Sequence, residues 1–577
     1  MNAIDLEVIY QSTLQIAREL TLNMLRTGYS TIIKESQDFT FAIFDARGRM
    51  VAQGIPQPLH IGPLAAQIQE IRRVYRGKIE PGDAFIVNHP YRACQNHATD
   101  ITIISPMFVG ERLTGFIGNI AHKPDLGGKV PGTNSGDATD LFQEGLLIPP
   151  LKLLRRGELN SDLYEMICAN TRTPEVTWGD INAQANTNVY GLERFTELFG
   201  KYGVDKVLSC WERWMEICET ELRKEIAKVP AGLYGPESDY LDDDGVDLDR
   251  PYRITASLEV KGDRLHFILD SDPQARGPIN LRPCVSRNFI ECCVKMVFAP
   301  QLPVNDGLSR PVRISYPPEG SLLNPRYPAP VNMYVRPSQI TTSVIVRVLA
   351  HALPGRVPAP GSAAGGSLST AGYHPRWGRW YSQYEIFSGG SGARPHGDGV
   401  SAMDELVVNV MNTPVEAVES EFPVRVESYE LVPDSAGPGT FRGGLGTRRQ
   451  WRILAEESVI NLRTDRFKFS SPGVFGAKPA RPSQACLNPG TPQERPLTSK
   501  VANLRLKKGD LLSWELAGGG GWGDPLQRDP ERVRQDVLCG YVSLEVARTD
   551  YGVVLNPEDL SIDREATARL RAEGARS

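Results

Sequence analysis

Marked only as apolar or polar, the chain alternates between stretches with a helical period and shorter runs with a strand period. Over residues 3–27, Ile4, Val8, Ile9, Leu14, Leu20 and Met24 follow a helical spacing that Gly28 ends. Phe39, Phe41 and Ile43 then alternate with small or polar residues. Asp45-Ala46-Arg47-Gly48 makes a turn, so a hairpin is predicted here. Residues 61–75 read as a second helix with His60 as an ordinary entry residue. Residues 81–88 read as a turn and a buried strand. Residues 100–108 and 112–121 form two further strands around Val109-Gly110-Glu111. Residues 160–232 are mostly helical, with Trp211, Trp214, Ile217, Leu222 and Ile226 on one face of the run 204–229.

Beyond Pro230 the period shortens again. Residues 254–260 and 264–269 flank Lys261-Gly262-Asp263 as a hairpin. Helices are predicted over 280–296 and 343–353, a strand over 381–388, and short strands from 421 to 516. Asp529-Pro530 supplies the N-cap and first residue of a C-terminal helix, and Asp563 opens a last, polar one. The pattern predicts a multi-domain α+β chain of mixed helices and mostly antiparallel sheets, joined by long Gly/Pro-rich loops. Its expected parts are an N-terminal α+β region (1–160), a helical region (161–234), a central α+β domain (235–420), a β-rich domain (421–528) and a helical tail (529–577).

Composition narrows the function classes. A chain of 577 residues is too long for one core. Its 54 glycines and 44 prolines fit long shaped loops rather than a helical bundle. A net charge of −5 offers no field for nucleic acid or an anionic membrane. No apolar run reaches the roughly 18 residues of a membrane helix. The N-terminus has no basic segment ahead of an apolar one, so a cytoplasmic protein is expected. Nine scattered cysteines without C-x-x-C spacing suggest reduced thiols, with Cys292 and Cys293 as small buried hydrophobes.

The chemistry concentrates in residues 88–128. Three of the eight histidines (His89, His97, His122) lie there with Asp100 and Asp125. Imidazoles and carboxylates in a Gly/Pro-rich setting suit a divalent metal such as zinc or manganese. Folding the strand pair about Gly110 sets His122 roughly opposite Ala98, so His97, Asp100 and His122 would meet at the open end of one hairpin. Asp38, at the start of the first hairpin, could cap a turn or reach a metal, and its spacing favours the cap. Asp137, Asp140 and Glu144 read as a solvated rim. The acidic run 239–249 lacks the EF-hand pattern and reads as a solvated loop. The glycine run 389–399 lacks the Walker order and is a poor phosphate cradle.

Several motifs together resemble the hydantoinase B/oxoprolinase family: S-Q-D-F-T (36–40), N-H-P-Y with H-A-T-D (88–100), A-H-K-P-D-L-G-G (121–128), E-G-L-L-I-P-P (144–150), G-D-I-N-A-Q (179–184), G-G-S-G-A-R-P-H-G-D-G (389–399) and G-G-G-G-W-G-D-P (518–525). The resemblance covers nearly the whole chain. It implies the metal-containing subunit of an ATP-dependent cyclic amide hydrolase, acting on a hydantoin, oxoproline or lactam after phosphorylation on a hydantoinase A-type ATP-binding partner in a hetero-oligomer. It also keeps open a ketone carboxylase subunit, and a non-catalytic scaffold is the third reading. It places metal ligands on His97, Asp100 and His122 and raises Asp38 to a fourth. Asp125 or His89 would orient ligands or move protons. One departure stands out. The family commonly has N-D-P-Y-x-G-G-T-H, whereas His89 here replaces an acid and Ala93-Cys94 replace two glycines, which implies a bulkier pocket lip.

Overall fold

The structure is a computed structural model that describes residues 1–54, 58–403 and 406–574. The first helix, α1 (Ala3–Thr27), is capped by the Asn2 side chain and buries Ile9, Tyr10, Ile16, Leu20 and Met24. Ile4 and Val8, assigned to that face by periodicity, are exposed. The strands β1 (Phe39–Asp45), β2 (Met50–Gln53), β3 (Ala84–Val87), β4 (Asp100–Val109), β5 (Arg112–His122), β6 (Leu151–Arg155) and β7 (Glu158–Leu159) form one antiparallel sheet in the order β2-β1-β5-β4-β3-β6-β7.

Both faces of this sheet are covered. On one side Ala42, Phe44, Phe85, Ile104 and Phe116 pack against Leu64, Ile68 and Ile71 of α2 (Ile61–Val74). On the other, Phe39, Phe41, Ile43 and Ile117 meet α1, α3 (Pro174–Tyr202) and α4 (Val204–Ile226). Alternate residues of β1 therefore enter two different cores, and every one is buried.

The G-D-I-N-A-Q motif of α3 fixes this packing. Asp180 Oδ1 accepts from the amides of Tyr29 and Ser30, and the Gln184 amide donates to Ile101 O and Asn119 Oδ1. The Asn88 side chain ties the loop after β3 to Ala98, Leu146 and Ile148, joining the 88–100 and 144–150 motifs.

The central sheet has the order β11-β10-β9-β8, from β8 (Gly232–Leu241), β9 (Tyr252–Lys261), β10 (Arg264–Ser271) and β11 (Val312–Ser315), with β10 and β11 parallel. Helices α5 (Pro283–Phe298) and α6 (Val335–Ala352) share its core. Two further sheets share a third core. One is β13-β12-β16-β19, from β12 (Gly366–His374), β13 (Arg379–Phe387), β16 (Glu457–Arg463) and β19 (Lys500–Lys507). The other is β14-β15-β20-β17-β18, from β14 (Val424–Leu431), β15 (Thr447–Ile453), β17 (Gln484–Leu487), β18 (Arg495–Leu497) and β20 (Leu511–Glu515). The architecture is α+β and multi-domain, with mostly antiparallel sheets. β12 carries no clear strand signal because its sequence reads as loop. No helix among the described residues is long and apolar enough to cross a membrane.

Three expectations are corrected. The acidic run is not solvated: Asp239, Asp242, Asp243 and Asp244 are buried, and Asp239 takes both guanidinium nitrogens of Arg466 at 2.9 and 2.7 Å. Glu144 is fully buried and accepts from the Asn332 amide at 2.7 Å. The cysteines are not all reduced, since Cys94 and Cys284 form a disulfide with Cα atoms 6.3 Å apart. Their separation of 190 residues hides that approach from the sequence. The run 389–399 is packing backbone: a Cβ on Gly390 would lie 1.9 Å from Gly444 O, and one on Gly519 would lie 2.0 Å from Ser391 O.

Candidate metal centre

Asp100 opens β4 and His122 closes β5, and the two are direct cross-strand partners. The fold about Gly110 alone would have set His122 opposite Ala98. The actual turn pairs Val109 with Arg112, and β5 then carries one extra residue, Thr114, where the register shifts. Both changes slide His122 toward Asp100.

The resulting contacts are close. Asp100 Oδ1 lies 2.7 Å from His97 Nε2 and 2.9 Å from His122 Nδ1. One ligand atom from each of His97, Asp100 and His122 lies within 4.8 Å of the others. His97 Nδ1 faces the Asn332 carbonyl at 3.0 Å and its side-chain oxygen at 2.9 Å, so Nδ1 carries the proton and Nε2 offers a lone pair. Tyr384 stacks on His122 with ring centroids 4.4 Å apart, and Tyr334 meets His97 edge-on. Arg463 donates to both Asn332 oxygens and to the Tyr384 hydroxyl.

His60 also belongs to this pocket. Its Nε2 is 3.5 Å from Asp38 Oδ1 and 3.4 Å from Asp100 Oδ2. The helix-entry reading missed it; the scarcity of histidine was the one signal available. Asn332, Tyr384 and Arg463 come from distant segments and carried no signal at all. Asp38 lines the pocket with His60, His97 and His122 but stands outside the tight cluster of ligand atoms.

His89 and Asp125 lie elsewhere. His89 Nδ1 accepts from the Arg92 amide and caps the turn Pro90–Ala93. Asp125 accepts from the amides of Gly127, Gly132 and Arg172 and from the Arg172 guanidinium, which spends its carboxylate on the loop. Cys94 sits at φ 59°, a conformation that glycine adopts without strain, and its disulfide holds it there.

The electrostatics suit a cation. Burial pushes His60 down to about 4 and His122 down to about 3, so both are neutral at neutral pH, as a metal ligand requires. Burial alone would raise the Asp100 carboxyl, but the surrounding His97 and His60 imidazoles and the hydrogen bond from His122 hold it well below the usual carboxylate value. His122 Nε2, Asp100 Oδ2 and His60 Nδ1 are buried without a hydrogen-bond partner among the described residues. Orphaned polar atoms at such depth are costly. Two nitrogens and a carboxylate oxygen converging beside them fit a borderline divalent ion.

Comparison with known proteins gives this geometry a context. The hydantoinase B/oxoprolinase family model matches residues 2–525. The chain belongs to that family. It is 31% identical to the hydantoinase B chain of a putative D-/L-hydantoinase from Pseudomonas sp. (strain NS671), over 99% of this chain and 98% of the relative. It is also 31% identical to the beta chain of the caprolactamase from Pseudomonas jessenii, over 99% of this chain and 100% of the relative. The solved ATP-dependent caprolactamase from that organism superposes with a TM-score of 0.92 at 30% identity, covering 99% of this chain and 100% of that one. Nucleotide-free acetone carboxylase gives a TM-score of 0.93 at 18% identity, over 99% of this chain and 83% of that one, a likeness of fold alone. The hydantoinase B-type chain is thus related to subunits of ATP-dependent enzymes.

Proposed function

We propose that this chain is the metal-containing subunit of an ATP-dependent complex that opens a cyclic amide or imide, with a hydantoinase A-type partner phosphorylating the substrate. The observation that carries the reading is the buried His97–Asp100–His122 cluster with its orphaned donor atoms, in a chain whose full-length relatives include a hydantoinase subunit and a caprolactamase subunit. An amide carbonyl is a poor electrophile, and phosphorylation of its oxygen by the partner supplies a leaving group.

Here His97, Asp100, His122 and Asp38 would hold one divalent ion. Bound there, the ion supplies Lewis acidity and a more acidic water. Asn332 keeps the His97 lone pair on Nε2. His60, neutral and with Nε2 3.5 Å from Asp38 and 3.4 Å from Asp100, would orient those two carboxylates. Tyr334 and Tyr384 exclude bulk water from the ligand rings.

The test is elemental analysis of the purified chain beside its His122→Ala variant, with ring-opening of hydantoin or a lactam assayed after adding the partner and ATP. The wild type should carry about one metal ion per chain and the variant little, with turnover lost in parallel. Equal metal content in the two proteins would refute the assignment.

A further inference from the structure

The metal pocket encloses only about 40 Å³. That is room for an ion and its water, not for a five- or six-membered ring. A second cavity, of about 270 Å³, shares Tyr384 with that pocket as a lining residue. An apolar cavity of about 150 Å³ suffices to hold benzene, so this one takes a ring with a linker to spare.

Its walls are aromatic. Tyr29, Trp380, Tyr381, Tyr384 and Phe422 line it, with Ser382 held to the Pro124 carbonyl. Trp380 is half exposed at the mouth, so its indole face is available to a ligand. The cations are already neutralised: Arg379 pairs with Glu175 at 3.2 Å, and Arg172 with Asp125 at 3.0 Å. Glu421 adds a further carboxyl. Among the described lining residues both guanidinium groups have a carboxylate partner, so the cavity is a weak site for a phosphoryl group. Its chemistry favours a flat, uncharged ring, stacked or met edge-on by its neighbours.

We propose that this cavity is a specificity subsite that receives an aromatic substituent of the substrate, with Tyr384 lining both it and the metal pocket. The proposal rests on the amide-opening reading for the identity of the substrate but not for the existence of the subsite. Its test is direct binding to the metal-loaded full chain, followed by tryptophan fluorescence and calorimetry with 5-phenylhydantoin and 5-methylhydantoin as probes. The phenyl probe should bind at least about tenfold more tightly. Trp380→Ala, at a half-exposed position, should remove that preference without shifting the melting temperature, and Phe422→Ala should remove it with some loss of stability because Phe422 also packs on the third core. Equal affinity for the two probes overturns the proposal, as does a phenyl preference that survives both substitutions. A chain that prefers the phenyl probe yet opens no cyclic amide with partner and ATP retains the subsite and refutes the hydrolase reading instead.

Discussion

Asn332 presents two oxygens to His97 Nδ1 and is itself gripped by Arg463 and by the Thr133 carbonyl. It sets which imidazole nitrogen faces the pocket without touching the cluster of ligand atoms. Asn332→Ala removes the side-chain oxygen but keeps the main-chain one on Nδ1, so it should weaken metal affinity by no more than about tenfold, measured by competition with a chelator. Burial also gives the metal-free chain a definite pH response. His60 and His122 titrate near 6.5 when unfolded but near 4 and 3 when folded. Between those values the unfolded chain binds more protons, so their contribution to stability falls as pH drops below 6.5. Glu144 has the opposite sign. Burial raises it to about 8, so stability falls as pH rises from 4.5 toward 8. Thermal melts in chelator should show His60→Gln flattening the acid limb and Glu144→Gln flattening the neutral-to-alkaline limb. Slopes unchanged by these variants would mean the groups titrate as they do in water.

Elements whose periodicity was strong are where the sequence put them. The helices at 3–27 and 61–75 and the strand pair before His122 needed only local pattern, because each is built from contiguous residues with one clear period. The register of that strand pair was not legible, since the extra residue at Thr114 leaves no mark in composition. The glycine runs were visible but not their use. Gly390, Gly444 and Gly519 touch one another's backbones, and each added Cβ would meet a carbonyl oxygen at 1.9–2.1 Å. Those neighbours are backbone and cannot rotate away. Gly519→Ala should therefore cost several kcal/mol or prevent folding, read as loss of soluble protein or a much lower melting temperature, whereas Gly509→Ala meets no atom within 4 Å and serves as the strained-turn control.

Across the whole molecule, the Cys94–Cys284 bond joins the loop that delivers His97 to the start of α5. Peptide mapping without reductant should recover these two cysteines linked, and Cys284→Ser should cost about 2–4 kcal/mol of stability in denaturant titration. Recovery of both as free thiols would remove the tether. The sequence by itself determined the family, the α+β class and the trio His97, Asp100 and His122, because local period, motif order and one hairpin are properties of neighbouring residues. Only the tertiary structure decided the rest. It brought His60 to the carboxylates from the start of α2, Asn332 and Arg463 to His97 from other parts of the chain, and Tyr384 from β13 to line both the metal pocket and the aromatic cavity. Those residues meet through packing between sheets that the chain reaches hundreds of residues apart, and packing of that kind follows from the shape and burial of whole faces rather than from any pattern along the chain.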